Sequence, residues 1–286
     1  MSALTLVIGS KTFSSWSLRP WLLLQHHQVP FQEVLVALNA NDTRARILEH
    51  SPSGKVPLLR HGERRIWESL AICEYAAETL LLPAAWPMDP DARAFARAAS
   101  AEMHAGFADL RSELPFEIHR EPARKACSAR AAADIARIRA LWREARTRFG
   151  RGGDWLCGRF GIVDAMFAPV ALRFFVYDVA LDGPEREYMK TVLMHPAVQA
   201  WMAAAKQEQS STGSAPPATP DRGAVTAAAR ETGKTTATTQ QGAAPSPAKP
   251  AASTATASRP TAAAAAQADA KPAAKTPIRS VVLPPD

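Results

Sequence analysis

The sequence predicts an α/β domain followed by an all-α domain and a low-complexity C-terminal tail. Three observations carry that reading. Short apolar runs of strand length, each closed by turn residues, are confined to residues 1–82. Beyond residue 90 the apolar residues recur at helical spacing, with no further strand signals. From residue 209 onward, 78 residues contain no Phe, Trp or Tyr yet hold 11 of the chain's 23 Pro. Such a segment cannot bury enough apolar surface to offset its conformational entropy and is expected to be disordered.

The first run, residues 4–8, is apolar apart from Thr5 and ends at Gly9-Ser10, as a buried strand does. A Ser-rich stretch, residues 12–17, opens a helix expected over residues 18–27, with Pro20 in its first turn, where a missing N–H costs nothing. Val29-Pro30 stops it, and residues 31–37 read as a second strand. A helical crossover between two strands makes them parallel. A short helix over residues 43–49 ends at Ser51-Pro52-Ser53-Gly54. Residues 56–59 and 65–67 then flank His61-Gly62-Glu63 as an antiparallel hairpin. Glu68-Ser69 begins another helix, with Leu70, Cys73, Ala77 and Leu80 on one face. The order βαβ then ββα is the thioredoxin-like plan.

Residues 83–90 carry three prolines and read as a linker. Helices are expected over residues 92–114, 126–149, 162–180 and 196–206, giving a helical bundle domain over residues 91–208. Met103, Phe107, Leu110 and Leu114 form one stripe, and Ile135, Ile138 and Trp142 another; both read as core.

Charge narrows the function. The net charge is +7, but of 34 Lys/Arg and 27 Asp/Glu the last 78 residues hold eight and four. The remaining 26 and 23 leave the body too nearly balanced for a nucleic-acid-binding surface. No apolar run is long enough to span a bilayer, and the N-terminus lacks the basic and apolar regions of a secretion signal. Cys73, Cys127 and Cys157 show neither disulfide-scaffold nor metal-ligand spacing. A reducing cytoplasm is the expected location, with no metal, no membrane and no nucleic-acid partner.

Three segments carry chemistry. Ser14-Ser15-Trp16-Ser17-Leu18-Arg19-Pro20 presents hydroxyls and free N–H groups at a helix start, where an anion is stabilised. Lys55-Val56-Pro57-Leu58-Leu59 precedes the hairpin, and Glu68-Ser69-Leu70-Ala71-Ile72 opens the third helix. In order and spacing they resemble the cytosolic glutathione S-transferases, the similarity covering residues 4–206. The first segment resembles the Ser-Ser-Cys-Ser-x-Arg of zeta-class members, the maleylacetoacetate isomerases, with Trp16 in place of their Cys.

The resemblance implies the remaining roles. Glutathione is the co-substrate, and Ser14 or Ser15 hydrogen-bonds its sulfur. Counting from the start of the zeta motif gives Ser14, and counting back from Arg19, as in theta-class members, gives Ser15. The peptide before Pro57 is cis in this family, turning the Val56 backbone toward the cysteinyl unit, while Lys55 meets the glycyl carboxylate. Ser69 holds the γ-glutamyl carboxylate and Glu68 the ammonium. Trp16, His104, Phe107 and Arg111 line the pocket for a small hydrophobic electrophile, which is conjugated or isomerised in detoxification-type chemistry. Family members dimerise, so a homodimer is expected. Asp164, three residues after Gly161, occupies the acid position of the family's Ser/Thr-x-x-Asp capping box and is expected to serve folding. The rival reading is a fold of this kind used as a binding scaffold without turnover.

Overall fold

The computed structural model describes residues 3–80 and 85–212. Strands β1 (Leu4–Gly9), β2 (Gln32–Val36), β3 (Leu58–His61) and β4 (Arg64–Trp67) form one sheet in the order β2-β1-β3-β4. β1 pairs parallel with β2, Val7 opposite Val34, and antiparallel with β3, Leu6 opposite Leu59. β3 pairs antiparallel with β4. Alternation along β1 buries both faces. Leu4, Leu6 and Ile8 enter the main core, whereas Val7 joins Val36, Ile47 and Leu58 in a smaller one.

Helix α1 (Ser15–His26) lies against α3 (Ser69–Thr79) on the main-core side, and α2 (Thr43–His50) brings Ile47 to the smaller core. α1 begins three residues earlier than its apolar periodicity suggests, because the Ser14 side chain caps it. Pro20 therefore lies inside the helix rather than in its first turn. The buried face of α3 runs through Ile72, Cys73, Ala76 and Ala77, with Leu70 and Leu80 at its partly buried margin.

The second part is helical: α4 (Pro90–Ala105), α5 (Ala108–Glu113), α6 (Ala129–Phe149), α7 (Ile162–Val176), α8 (Gly183–Met194) and α9 (Pro196–Thr212). α7 is the central helix, nearly all of it buried, packed on α1, α4 and α8. The single helix expected over residues 92–114 is in fact two. Gly106 ends α4 in an extended conformation, and Phe107 takes the left-handed conformation at φ 58° before α5 starts. The stripe Met103, Phe107, Leu110 and Leu114 nevertheless stays buried across the break. α8 was not expected at all, although Asp182-Gly183-Pro184 is a readable helix start.

Asp164 is the N3 residue of α7, and its carboxylate accepts the N–H of Gly161 at 2.9 Å and of Leu156 at 3.0 Å. Gly161 replaces the usual hydroxyl residue for a steric reason: a Cβ there would lie 2.7 Å from the Ala85 carbonyl oxygen. α9 is pinned beside the loop before α1. Trp201 donates to the Lys11 carbonyl at 2.9 Å, and Glu208 accepts the Lys11 N–H at 2.8 Å. It continues to Thr212, four residues past the point where the composition turns tail-like. The rest of the expected disordered tail, residues 213–286, lies outside the described residues. Among the described residues no helix is long and apolar enough to cross a membrane.

Candidate active site

A cavity of about 380 Å³ opens where α1, α3, α4 and the β3 entry meet. One wall is Lys55, Val56 and Pro57, with the Val56–Pro57 peptide cis. Glu68 and Ser69 form the second wall and Trp16 the third. His104, Ala105 and Arg111 close it from the helical part. Residues far apart in sequence thus reach one hollow because α1 and α3 both start at the same end of the sheet.

Glu68 is held at φ 71° and ψ 128°, a region that side-chain-bearing residues seldom occupy. This conformation launches α3 with Ser69 in its first turn. The Ser69 hydroxyl is buried and has no hydrogen-bond partner among the described residues. A buried hydroxyl and an adjacent helix N-terminus form a ready acceptor site for a carboxylate.

His104, in the last turn of α4, places Nε2 3.5 Å from the Glu68 carboxylate. Its ring meets Trp16 edge-on, with centroids 5.4 Å apart. Burial lowers the His104 pKa, the Glu68 charge pulls it back up, and Arg19 and Arg111 push it down. Arg111 owes its position to the α4–α5 break, where its Nε donates to the Gly106 carbonyl at 3.2 Å. The Arg111 guanidinium lies 5.3 Å from the Trp16 ring centroid, and that of Arg19 lies 4.0 Å away.

Ser14, Ser15 and Phe107 do not line the cavity. The Ser14 hydroxyl caps α1 by accepting the Ser17 N–H at 3.3 Å, and it donates to the Ser17 hydroxyl at 2.7 Å. Ser17 Oγ in turn accepts the Gly9 N–H. The Ser15 hydroxyl oxygen faces Arg173, whose Nη2 donates to it at 3.4 Å. Phe107 is buried in the core, since its left-handed backbone turns the ring inward with Leu110 and Leu114. Sequence reasoning missed Arg173 entirely and gave Arg19 no role beyond marking the motif. Both are buried arginines that donate chiefly to backbone carbonyls, an arrangement that leaves no charge pattern to read.

Thiol chemistry from the protein itself is poorly served. Burial raises the Cys73 pKa strongly and pushes that of Cys157 up to about 12, so both stay protonated. Among the described residues no cluster of His, Cys, Asp and Glu is arranged to hold a metal ion. A larger hollow of about 660 Å³ lies near the linker, between Trp86 and Phe160, and contains none of the three motif segments.

Two family models match the chain. The glutathione S-transferase N-terminal domain matches residues 13–79, and the glutathione S-transferase C-terminal domain matches residues 128–204. A pyrimidodiazepine synthase from Drosophila melanogaster is 35% identical over 85 residues, which are 28% of this chain and 34% of that protein. The chain thus spans about a third of that curated relative. The fold is shared with a theta class glutathione S-transferase from Xanthomonas axonopodis pv. citri, solved with glutathione bound. That structure is 24% identical, covers 71% of this chain and 98% of its own, and superposes with a TM-score of 0.51. A diazinon-metabolizing glutathione S-transferase from the silkworm, Bombyx mori, is 16% identical, covers 72% and 98%, and gives a TM-score of 0.57. These matches do not single out the zeta class. With both domain models matched in order across half of its length, the chain belongs to the glutathione S-transferase family.

Proposed function

We propose that the protein is a glutathione transferase that binds reduced glutathione in the 380 Å³ cavity and presents its thiolate to a small electrophile. The observation that carries this reading is the convergence of Lys55-Val56-Pro57, Glu68-Ser69 and Trp16 on one hollow. In the proposed mode the γ-glutamyl carboxylate meets the unpartnered Ser69 hydroxyl and the first amides of α3, and its ammonium meets Glu68. The Val56 backbone pairs with the cysteinyl unit as an added strand would, and Lys55 receives the glycyl carboxylate. The sulfur then lies toward Trp16 and the start of α1.

The chemical task is to keep that sulfur ionised. A free thiol has a pKa of about 8.5, so only a few per cent is thiolate at neutral pH. Lowering it by roughly two units requires about 2.7 kcal/mol of preferential stabilisation of the anion. The α1 N-terminus and the Ser15 hydroxyl are the hydrogen-bonding sources of it, since the Ser14 hydroxyl gives its proton to Ser17. The thiolate attacks the electrophile against Trp16, His104 and Arg111, and the product leaves as a conjugate or, after isomerisation, releases glutathione again. A cytoplasmic homodimer completes the proposal.

The test is conjugation of glutathione to chlorodinitrobenzene, together with retention on immobilised glutathione. Turnover that falls at least tenfold in Ser69→Ala supports the assignment. Neither retention nor turnover in the folded wild-type protein sinks it and leaves a scaffold role.

A further inference from the structure

Three arginines from three helices converge on the start of α1. Arg19 of α1 is fully buried: its Nε donates to the Met166 carbonyl at 3.1 Å and its Nη1 to the Ser15 carbonyl at 2.9 Å. Its Nη2 has no partner among the described residues. Arg173 of α7 is 5% exposed, and its guanidinium reaches the Leu114 and Pro169 carbonyls and the Ser15 hydroxyl. Arg111 of α5 lines the cavity. None of the three forms an ion pair among the described residues.

Buried cations without a counter-ion are costly, and mutual repulsion adds to that cost. Burial is the main cause of the lowered pKa of Arg19 and of Arg173, the latter brought to about 9, and neighbouring arginines add to both. The other ionisable groups facing this cluster are few, and one of them, Tyr177, lies within electrostatic range of Arg173. Asp134 of α6 lies within electrostatic range of Arg111, and Cys73 of α3 borders Arg19. On the cavity walls stand Lys55, Glu68 and His104. An anion arriving beside Trp16 would be the missing partner.

We propose that Arg111, backed by Arg19 and Arg173, holds the glutathione sulfur as a thiolate by charge, so that ionisation does not depend on a serine hydroxyl alone. This rests on the cavity being the glutathione site, where the two carboxylates of the ligand have their own partners at Lys55 and Ser69. Only the sulfur is left to face Trp16. The thiol proton leaves to solvent, the S–H electron pair stays on sulfur, and the same pair later forms the bond to the electrophile. Arg173 acts as a positioning residue by holding the Ser15 oxygen, and the Ser14 hydroxyl remains a helix cap.

The experiment is a pH titration of the ultraviolet thiolate band of bound glutathione, with kcat/KM for chlorodinitrobenzene measured over the same range. Arg111→Met is expected to raise the bound thiol pKa by about one unit, the shift one nearby opposite charge produces. With the bound thiol pKa near 6.5 in the wild type, the rate should therefore fall about fivefold at pH 6.5 and recover at high pH. Arg111→Lys should restore most of the shift, which a purely structural role would not predict. Binding of S-methylglutathione, which has no thiol to ionise, should be the same in Arg111→Met and wild type. An unchanged thiol pKa in Arg111→Met overturns the proposal, as does a change confined to KM for the electrophile, which would make Arg111 a substrate contact. Failure of the wild type to bind either ligand refutes the site assignment itself, and is distinguishable because it appears before any variant is made.

Discussion

Glu68 and His104 meet across the join between the sheet domain and the helical domain. One precedes α3 at a positive φ of 71°, and the other lies in the last turn of α4 with its Nε2 3.5 Å from the Glu68 carboxylate. Residues of both domains therefore shape the cavity. The strain at Glu68 sits where the ligand's charged end is expected.

That strain makes a prediction. A non-glycine residue in a sparsely populated region costs about 1–3 kcal/mol, whereas glycine there costs only its extra chain entropy. Glu68→Gly should thus leave stability unchanged or raise it by about 1 kcal/mol, read as the denaturant midpoint. Glutathione affinity should fall roughly tenfold, as expected for losing a charge-assisted contact. Loss of stability with affinity intact would mean that Glu68 serves the fold alone.

A histidine cluster joins α1 to the α8–α9 turn. His26 Nδ1 lies 2.9 Å from His195 Nε2, and His26 stacks on Phe160 at 4.0 Å between centroids. The His195 Nδ1 accepts the Ala197 N–H at 3.2 Å, so in the neutral cluster His195 Nε2 carries the proton and donates to His26. Burial, then the neighbouring His27 and His195, lower the His26 pKa to about 4, and burial lowers those of His27 and His195. The fold thus favours neutral imidazoles, while the unfolded chain takes up protons near pH 6.5. The stability this cluster contributes is complete above that pH and is lost as pH falls from 6.5 toward about 4. His195→Asn keeps an acceptor for the Ala197 N–H and removes one titrating group. Its melting temperature should drop less than that of the wild type between pH 7 and pH 5; an equal drop would place the acid sensitivity elsewhere.

Asp164 and Gly161 separate two ways of starting a helix. Burial pushes the Asp164 pKa up to about 7 against the pull of two backbone N–H donors and of Tyr188 and Arg146, and among the described residues those N–H groups have no other acceptor. Asp164→Ala should cost about 3–5 kcal/mol, since each orphaned buried donor costs about 1–3 kcal/mol, measured by equilibrium unfolding.

Gly161→Ser would restore the family's capping hydroxyl yet should destabilise by about 1–3 kcal/mol, the usual cost of forcing atoms into a packed site. The Ala85 carbonyl occupies the space its Cβ needs. A more stable Gly161→Ser protein would show that the backbone yields there.

Much of the fold is legible because its elements announce themselves locally. β1 is an apolar run broken only by Thr5, Ser14 caps α1, and Gly62 marks the hairpin turn at φ 60°. The walls supplied by Lys55, Val56, Pro57, Glu68 and Ser69 are legible for the same reason: each belongs to a short segment at an element boundary. The remainder depends on tertiary structure. Nothing in the local pattern shows Phe107 turning left-handed, so a continuous helix would have pointed Phe107 and Arg111 along one face. Nor does helical periodicity, which assigns arginine to solvent, distinguish the buried Arg19 and Arg173 from any surface cation. These two become visible only when α1 and α7 are packed together.

The central claim is that the cavity between Lys55, Ser69 and Trp16 is a glutathione site. Calorimetric titration of the full chain with reduced glutathione, beside Ser69→Ala, tests it most directly. The account predicts saturable binding in the micromolar to millimolar range, weakened about tenfold or more by removal of the one hydroxyl. No heat at millimolar glutathione, with an unshifted melting temperature, would contradict it, and so would binding that Ser69→Ala leaves untouched.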